Sequence, residues 1–205
     1  MPCRLLLVAV ATLSAHALLT ACHSSPEAGQ PHATAISPSA THSPTPTPAR
    51  HSTPSWTPAE QPAIGAAKAR YTSALVAIDA ALNNPMRASD EKLLQAGTGG
   101  AWLIRVVTDV QFFLERGWYQ RGKTSVVSLS VASVNLKTEQ PEVRLNACLD
   151  TSKIGLYYQK THKPVPAIPA NGNRHRIQAR VVYAPPVGES IKRWFLIDQK
   201  TLGSC

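Results

Sequence analysis

The chain has 205 residues and carries 21 Lys and Arg against 12 Asp and Glu, a formal charge of +9. Only 16% of its residues are charged and 17 are proline, so part of it lacks the composition of a packed core. Four cysteines exclude a disulfide-dense scaffold, and no C-x-x-C or clustered Cys/His spacing suggests zinc.

Residues 1–21 have the layout of a secretory leader. Arg4 is the positive end, Leu5 to Leu19 is mostly apolar, and small residues Thr20 and Ala21 precede Cys22. Ser14 and His16 interrupt the run, which is shorter than the ~20 residues a spanning helix needs. Leu19-Thr20-Ala21-Cys22 resembles a lipobox, the recognition sequence of bacterial lipoproteins. The resemblance implies that 1–21 is a lipoprotein signal peptide and that the Cys22 sulfur takes a diacylglycerol. Two acyl chains anchor stably where one is marginal.

Cysteine counting follows from that anchor. Cleavage removes Cys3 and lipidation uses Cys22, leaving Cys148 and Cys205. On the oxidising side of a membrane these form a disulfide, the one pairing open to them; two free buried thiols are the alternative.

Residues 22–57 form a tether rich in Pro, Ser and Thr, running past Pro26, Pro31, Pro38, Pro44, Pro46, Pro48 and Pro54. It lacks the bulky apolar residues that could repay ordering, so the expectation is a disordered linker with polyproline character. At ~3.1 Å per residue it reaches on the order of 100 Å. His23, His32, His42 and His51 are spaced too widely for a compact metal site.

Residues 58–205 are long enough for one domain with a core of its own. Thr57-Pro58-Ala59-Glu60 is a helix-start signature, with Thr57 and Glu60 placed as a capping box. Ile64, Ala67, Tyr71, Ala74, Leu75, Ile78 and Leu82 then recur on one helical face up to Asn83-Asn84-Pro85. Ser89 caps a short helix over Asp90–Gln95. A third helix, Ala101–Arg116, ends at Gly117. Its apolar residues, among them Trp102, Val106, Val110 and Phe113, cover so wide an arc that the helix is expected to be largely buried.

After Gly122 the period changes from 3.6 to 2. Val127–Val131, Val143–Leu149 and Ile177–Tyr183 alternate apolar with polar, and Ile191–Asp198 forms a last strand. Tyr157–Asn173 is a long Pro/Lys-rich connection. The expected class is α+β, three N-terminal helices packed on a curved antiparallel sheet of four strands or more.

That order of elements resembles the NTF2-like (SnoaL-like) cone. Ala69-Arg70-Tyr71, the turn from Gly117 to Gly122, Cys148-Leu149-Asp150 and Arg193-Trp194 leading to Cys205 also resemble secreted lipoproteins of high-GC Gram-positive bacteria that carry such a domain. The resemblance implies a cone whose interior is either an open pocket or filled, with Trp102, Phe113 and Tyr183 expected as the filling. It also implies a homodimer through the sheet face. Proteins of this fold include enzymes, binding modules and scaffolds, so fold alone does not give function.

The candidate sites follow. Asp109 is the best acid for an isomerase- or cyclase-like enzyme using the cone cavity, but Arg105 and Arg116 share its flank, which favours a surface ion pair. Asp79 flanks its stripe beside Lys68 and is placed on the surface in the same way. Asp150 is expected to organise a turn. Arg116, Arg121 and Lys123 surround Trp118-Tyr119, and Arg174, Arg176 and Arg180 share one strand. These six are the candidate surface for an anionic ligand, against the alternative of a basic surface that only maintains solubility. No metal or cofactor is expected. The partners expected are the membrane through the lipid anchor and an envelope protein or an anionic envelope polymer or lipid, at the extracytoplasmic face of a bacterial cell membrane. Nucleic acid is not expected.

Overall fold

A computed structural model describes residues 55–166 and 173–205. The leader, the lipobox with Cys22 and nearly all of the tether lie outside the described residues. So do 167–172 of the Pro/Lys-rich connection.

Among the described residues, three helices come first. α1 spans Glu60–Asn83, a single 3-10 turn covers Pro85–Arg87, α2 spans Asp90–Ala96 and α3 spans Gly100–Arg116. The capping box is present one turn ahead of α1. Thr57 Oγ1 accepts from the Glu60 N–H at 3.3 Å, and Glu60 accepts from the Thr57 N–H at 2.8 Å. Ser89 caps α2 by accepting from the Lys92 N–H. Gly97 and Gly117 end α2 and α3 in the left-handed region, at φ 105° and 62°.

Six strands follow: β1 Trp118–Arg121, β2 Ser125–Asn135, β3 Glu142–Asp150, β4 Gly155–Tyr158, β5 Arg174–Ala184 and β6 Arg193–Gly203. β2, β3, β5 and β6 form one antiparallel sheet in the order β2-β3-β5-β6, and β1 pairs with β4 in a separate antiparallel ribbon. The alternation of the sequence fixes which face of the sheet is inward. Val143, Leu145, Ala147 and Leu149 on β3 and Ile177, Ala179 and Val181 on β5 are buried with Leu196 of β6. α1 lies on that face and inserts Ala67, Tyr71, Ala74 and Leu75 among them. A second cluster gathers Ala81, Leu93, Val106 and Val110 between the helices, and Trp102 packs against both clusters.

The arrangement is α+β, three helices on an antiparallel sheet, as the periods imply. Of the two states left open for the interior, the described residues show the filled one: Tyr71, Leu145 and Leu196 are each 0% exposed. Two expectations need correction. Of the expected filling, Trp102 does pack against the core, but Phe113 and Tyr183 do not supply it. Tyr71 fills the centre, while Phe113 packs edge-on against Trp118 and Tyr183 against Trp194 toward the periphery. Finally, α3 is not largely buried. Only Val106 and Val110 are, and Ile104 is 69% exposed. The helix is too near the edge of the layer for its wide apolar arc to be covered all round.

Candidate functional site

Asp109 is not an interior acid. Its side chain is 46% exposed and pairs with Arg105 Nε at 3.3 Å, one helical turn away. The candidate catalytic role therefore loses its geometry: no reacting group could be enclosed around this carboxylate. Asp79 was placed on the surface and is instead buried near the end of α1. It accepts from Gln120 Nε2 at 3.1 Å, from the Thr124 N–H at 2.8 Å and from Thr124 Oγ1 at 2.9 Å. All its contacts are structural and tie α1 to the turn between β1 and β2. Asp150 does organise a turn. It accepts from the Ser152 N–H at 2.8 Å, and hydrogen bonds from Ser152, followed by the Arg174 guanidinium, hold its carboxyl down at about 2.

The six candidate anion-binding residues separate into two groups. Arg174, Arg176 and Arg180 lie on the outer face of β5 and are already engaged. Arg174 pairs with Asp150 at 3.3 Å, Arg176 donates to the Ser204 carbonyl at 3.3 Å, and Arg180 pairs with Glu142. Glu142 also receives Arg144 at 2.6 Å. Burial alone would raise the Glu142 carboxyl, but the hydrogen bonds from Arg180 and Arg144 outweigh it and hold the group below the usual range.

Arg116, Arg121 and Lys123 behave differently. Arg116 ends α3, Arg121 ends β1 and Lys123 lies in the turn between β1 and β2, and none takes part in an ion pair among the described residues. The ribbon's register sets Tyr119 opposite Tyr157 and Arg121 opposite Gly155. The Arg121 guanidinium stands 4.8 Å from the Tyr157 ring centre and 5.6 Å from that of Tyr119. Arg116 lies 5.2 Å from the Phe112 ring centre and 6.0 Å from that of Trp118. Gly122 permits the close return of the chain, because a β-carbon there would come within 1.9 Å of the Lys153 carbonyl oxygen.

The turn after β4 completes the ribbon. His162 sits in the left-handed region at φ 54°, held by its Nδ1 at 3.1 Å from the Tyr119 hydroxyl. Lys160 and Lys163 from this turn line a groove of about 810 Å³ with Arg116, Tyr158 and Pro164, where Glu115 is the one acidic lining residue. The ribbon thus presents two guanidinium groups over aromatic faces, with the ammonium groups of Lys160 and Lys163 lining the groove beside Arg116. The composition pointed to Arg116, Arg121 and Lys123. It could not show that β1 and β4 pair, or that Lys160 and Lys163 join Arg116.

A second cleft of about 800 Å³ lies between the start of α3 and the β5–β6 connection, lined by Ile104, Val182, Pro185, Val187 and Phe195 with Arg180 and Asp198. Among the described residues no group of three or more His, Cys, Asp or Glu could hold a metal ion, and no helix is long and apolar enough to cross a membrane. Cys148 and Cys205 are joined as a disulfide with Cα atoms 6.0 Å apart, which fastens the chain end to β3.

No protein-family model and no curated protein matches the chain. Two solved structures are similar over most of their own length. One is the intermembrane space region of chloroplast protein ARC6, 14% identical, covering 66% of this chain and 92% of that chain at a TM-score of 0.43. The other is CagV, a VirB8 homolog of T4SS from Helicobacter pylori strain 26695, 12% identical, covering 68% and 98% at a TM-score of 0.35. At these values neither likeness carries a function to this chain, and the architecture stands on the coordinates alone.

Proposed function

We propose that the chain is a lipoprotein anchored through Cys22 at the extracytoplasmic face of a bacterial cell membrane. Its NTF2-like domain acts there as a non-enzymatic binding or scaffold module, and the β1–β4 ribbon takes an anionic envelope polymer or lipid, or an acidic protein partner. The observation that carries the binding role is the division of the cations. Those on β5 are satisfied within the domain, whereas Arg116, Arg121 and Lys123, with Lys160 and Lys163 beside them, have no carboxylate partner among the described residues. Stacking over tyrosines orders the Arg121 guanidinium in advance, so less entropy is lost when it meets an anion. The filled interior and the exposed Asp109 favour binding at this outer surface over a reaction inside the cone.

Two measurements test this. Cys22→Ala should move the protein from the membrane fraction to the soluble one, and unchanged fractionation would remove the anchor. Binding of the full chain to vesicles with an anionic lipid should weaken with added salt and with Arg121→Ala plus Lys160→Ala, and should be unaffected by Arg174→Ala. Equal losses in both variants would show that overall charge, not the ribbon, attracts the ligand.

A further inference from the structure

β2 is an edge strand of unusual composition. It runs for 11 residues, Ser125–Asn135, without a charged residue or a proline. Its one sheet neighbour is β3, and among the described residues no backbone hydrogen bond reaches its outer side. Proteins normally protect such an edge with charge, proline, brevity or bulges, because its free N–H and C=O groups are a template for another strand. β2 has no charge, no proline and full length in a chain of net charge +9. Its one protecting feature is a pair of register shifts against β3, between Val126 and Ser128 and between Val131 and Ser133.

The order of residues along β2 indicates what kind of strand fits it. Val126, Leu129, Val131 and Val134 point inward, and all four are only partly buried against the main core. They are symmetric about Ser130. In an antiparallel copy turned about Ser130, Leu129 opposes Val131 and Val126 opposes Val134. Two residues separate the members of each half on both sides, so Val127-Ser128, at one register shift, faces Ala132-Ser133, at the other. Ser130 opposes itself, Ser125 opposes Asn135, and no like charges meet.

We propose that β2 pairs with β2 of a second copy of this chain about a two-fold axis at Ser130, joining two four-stranded sheets into one of eight. The self-match argues for a copy over a foreign strand, since a heterologous partner requires no symmetry within β2. Pairing supplies hydrogen bonds to the free edge and covers four half-exposed apolar side chains on each copy. A slip of one residue in either direction would bring Ser130 opposite Leu129 or Val131, so the register is specified. The surface differs from the sheet face that the fold resemblance implies: α1 covers the inner face, and paired Arg and Glu side chains occupy part of the outer one.

The test is a cysteine at the axis. In the full chain purified in detergent, Ser130→Cys should form a reducible covalent dimer on mild oxidation, because residues facing each other across an antiparallel pair lie within disulfide reach. Ser133→Cys, also exposed on β2 but off the axis, should not exceed the background of the unsubstituted chain. Ala132→Lys, at an exposed position, should weaken dimerisation by at least about tenfold, seen as a fall in mass by light scattering. A monomeric native chain, equal cross-linking at both positions, or a dimer unchanged by Ala132→Lys and not linked through Ser130→Cys would each overturn the proposal. The last result would place the contact on another surface.

Discussion

Asp79 of α1 accepts from both the backbone N–H and the hydroxyl of Thr124, at 2.8 and 2.9 Å, and so fixes the point where the ribbon passes into the sheet. Gln120 Nε2 reaches the same carboxylate, and Gln120 is itself buried. Removing the acceptor leaves donors without partners in a site with little access to water. Asp79→Ala should therefore cost about 2–4 kcal/mol, the range for breaking a buried polar network. The same change should weaken vesicle binding through the ribbon while Tyr71 and its neighbours stay packed. Urea unfolding followed by tryptophan fluorescence measures the first effect. A loss below about 1 kcal/mol would mean that Asp79 is dispensable to the junction.

Asp79 also shows where sequence reasoning stops. Helical spacing places Ile64, Ala67, Tyr71, Ala74, Leu75, Ile78 and Leu82 on one side of α1; the first five are buried, and Ile78 and Leu82 are partly buried against the second cluster. A period states which side an acid flanks. It does not state that Gln120 and Thr124, more than 40 positions later, fold back over that flank. β2, β3 and β5 were legible because alternating Val, Leu, Ile and Ala can satisfy only a half-buried strand, whereas β6 was legible only as the apolar run Trp194–Ile197 and extends through polar residues to Gly203. β1 and β4 have four residues each, too few to show alternation. Their pairing rests on non-local partners, and so the sequence presents the cationic ribbon only as separate basic clusters. The arc of α3 is apolar, but burial depends on whether neighbours surround it, which a helical period does not contain.

The Cys148–Cys205 bond spans 57 residues and secures the last strand, which ends only two residues before Cys205. In the chain-entropy account, closing a loop of that length contributes about 4 kcal/mol by restricting the unfolded chain. Cys205→Ser, or reduction, should lower the unfolding free energy by roughly that amount, with β6 fraying first. Denaturant titrations with and without reductant give the difference, and mass spectrometry after alkylation counts the thiols. Two alkylatable thiols at these positions in the unreduced protein would refute the bond.

Acid should loosen the turn between β3 and β4. The Asp150 carboxyl falls from an ordinary 3.8 to about 2, chiefly through hydrogen bonds from Ser152 and then through Arg174. A folded value below the unfolded one means that the ionised form is favoured by folding. The contribution is complete above about pH 4 and disappears as the pH falls through about 2. Glu142 acts in the same direction through Arg180 and Arg144. Stability should therefore decline on acidification across that window, and Asp150→Asn should make the decline shallower. A variant with the same pH profile as the native chain would assign the acid response to other carboxylates.

Tyr71 offers the sharpest test of the filled interior. It is 0% exposed, its hydroxyl has no hydrogen-bond partner among the described residues, and burial pushes the group's pKa above the usual tyrosine value. The ring supplies packing area, while the hydroxyl adds a desolvation cost. Tyr71→Phe keeps the first and removes the second, so it should leave stability unchanged or raise it by about 1 kcal/mol. Tyr71→Ala opens a cavity beneath the sheet and should cost about 3–5 kcal/mol. If Tyr71→Phe instead lost more than about 1 kcal/mol, the hydroxyl would have a partner such as an internal water, and the centre of the domain would be polar where the packing of Leu145, Leu196 and Val181 makes it apolar.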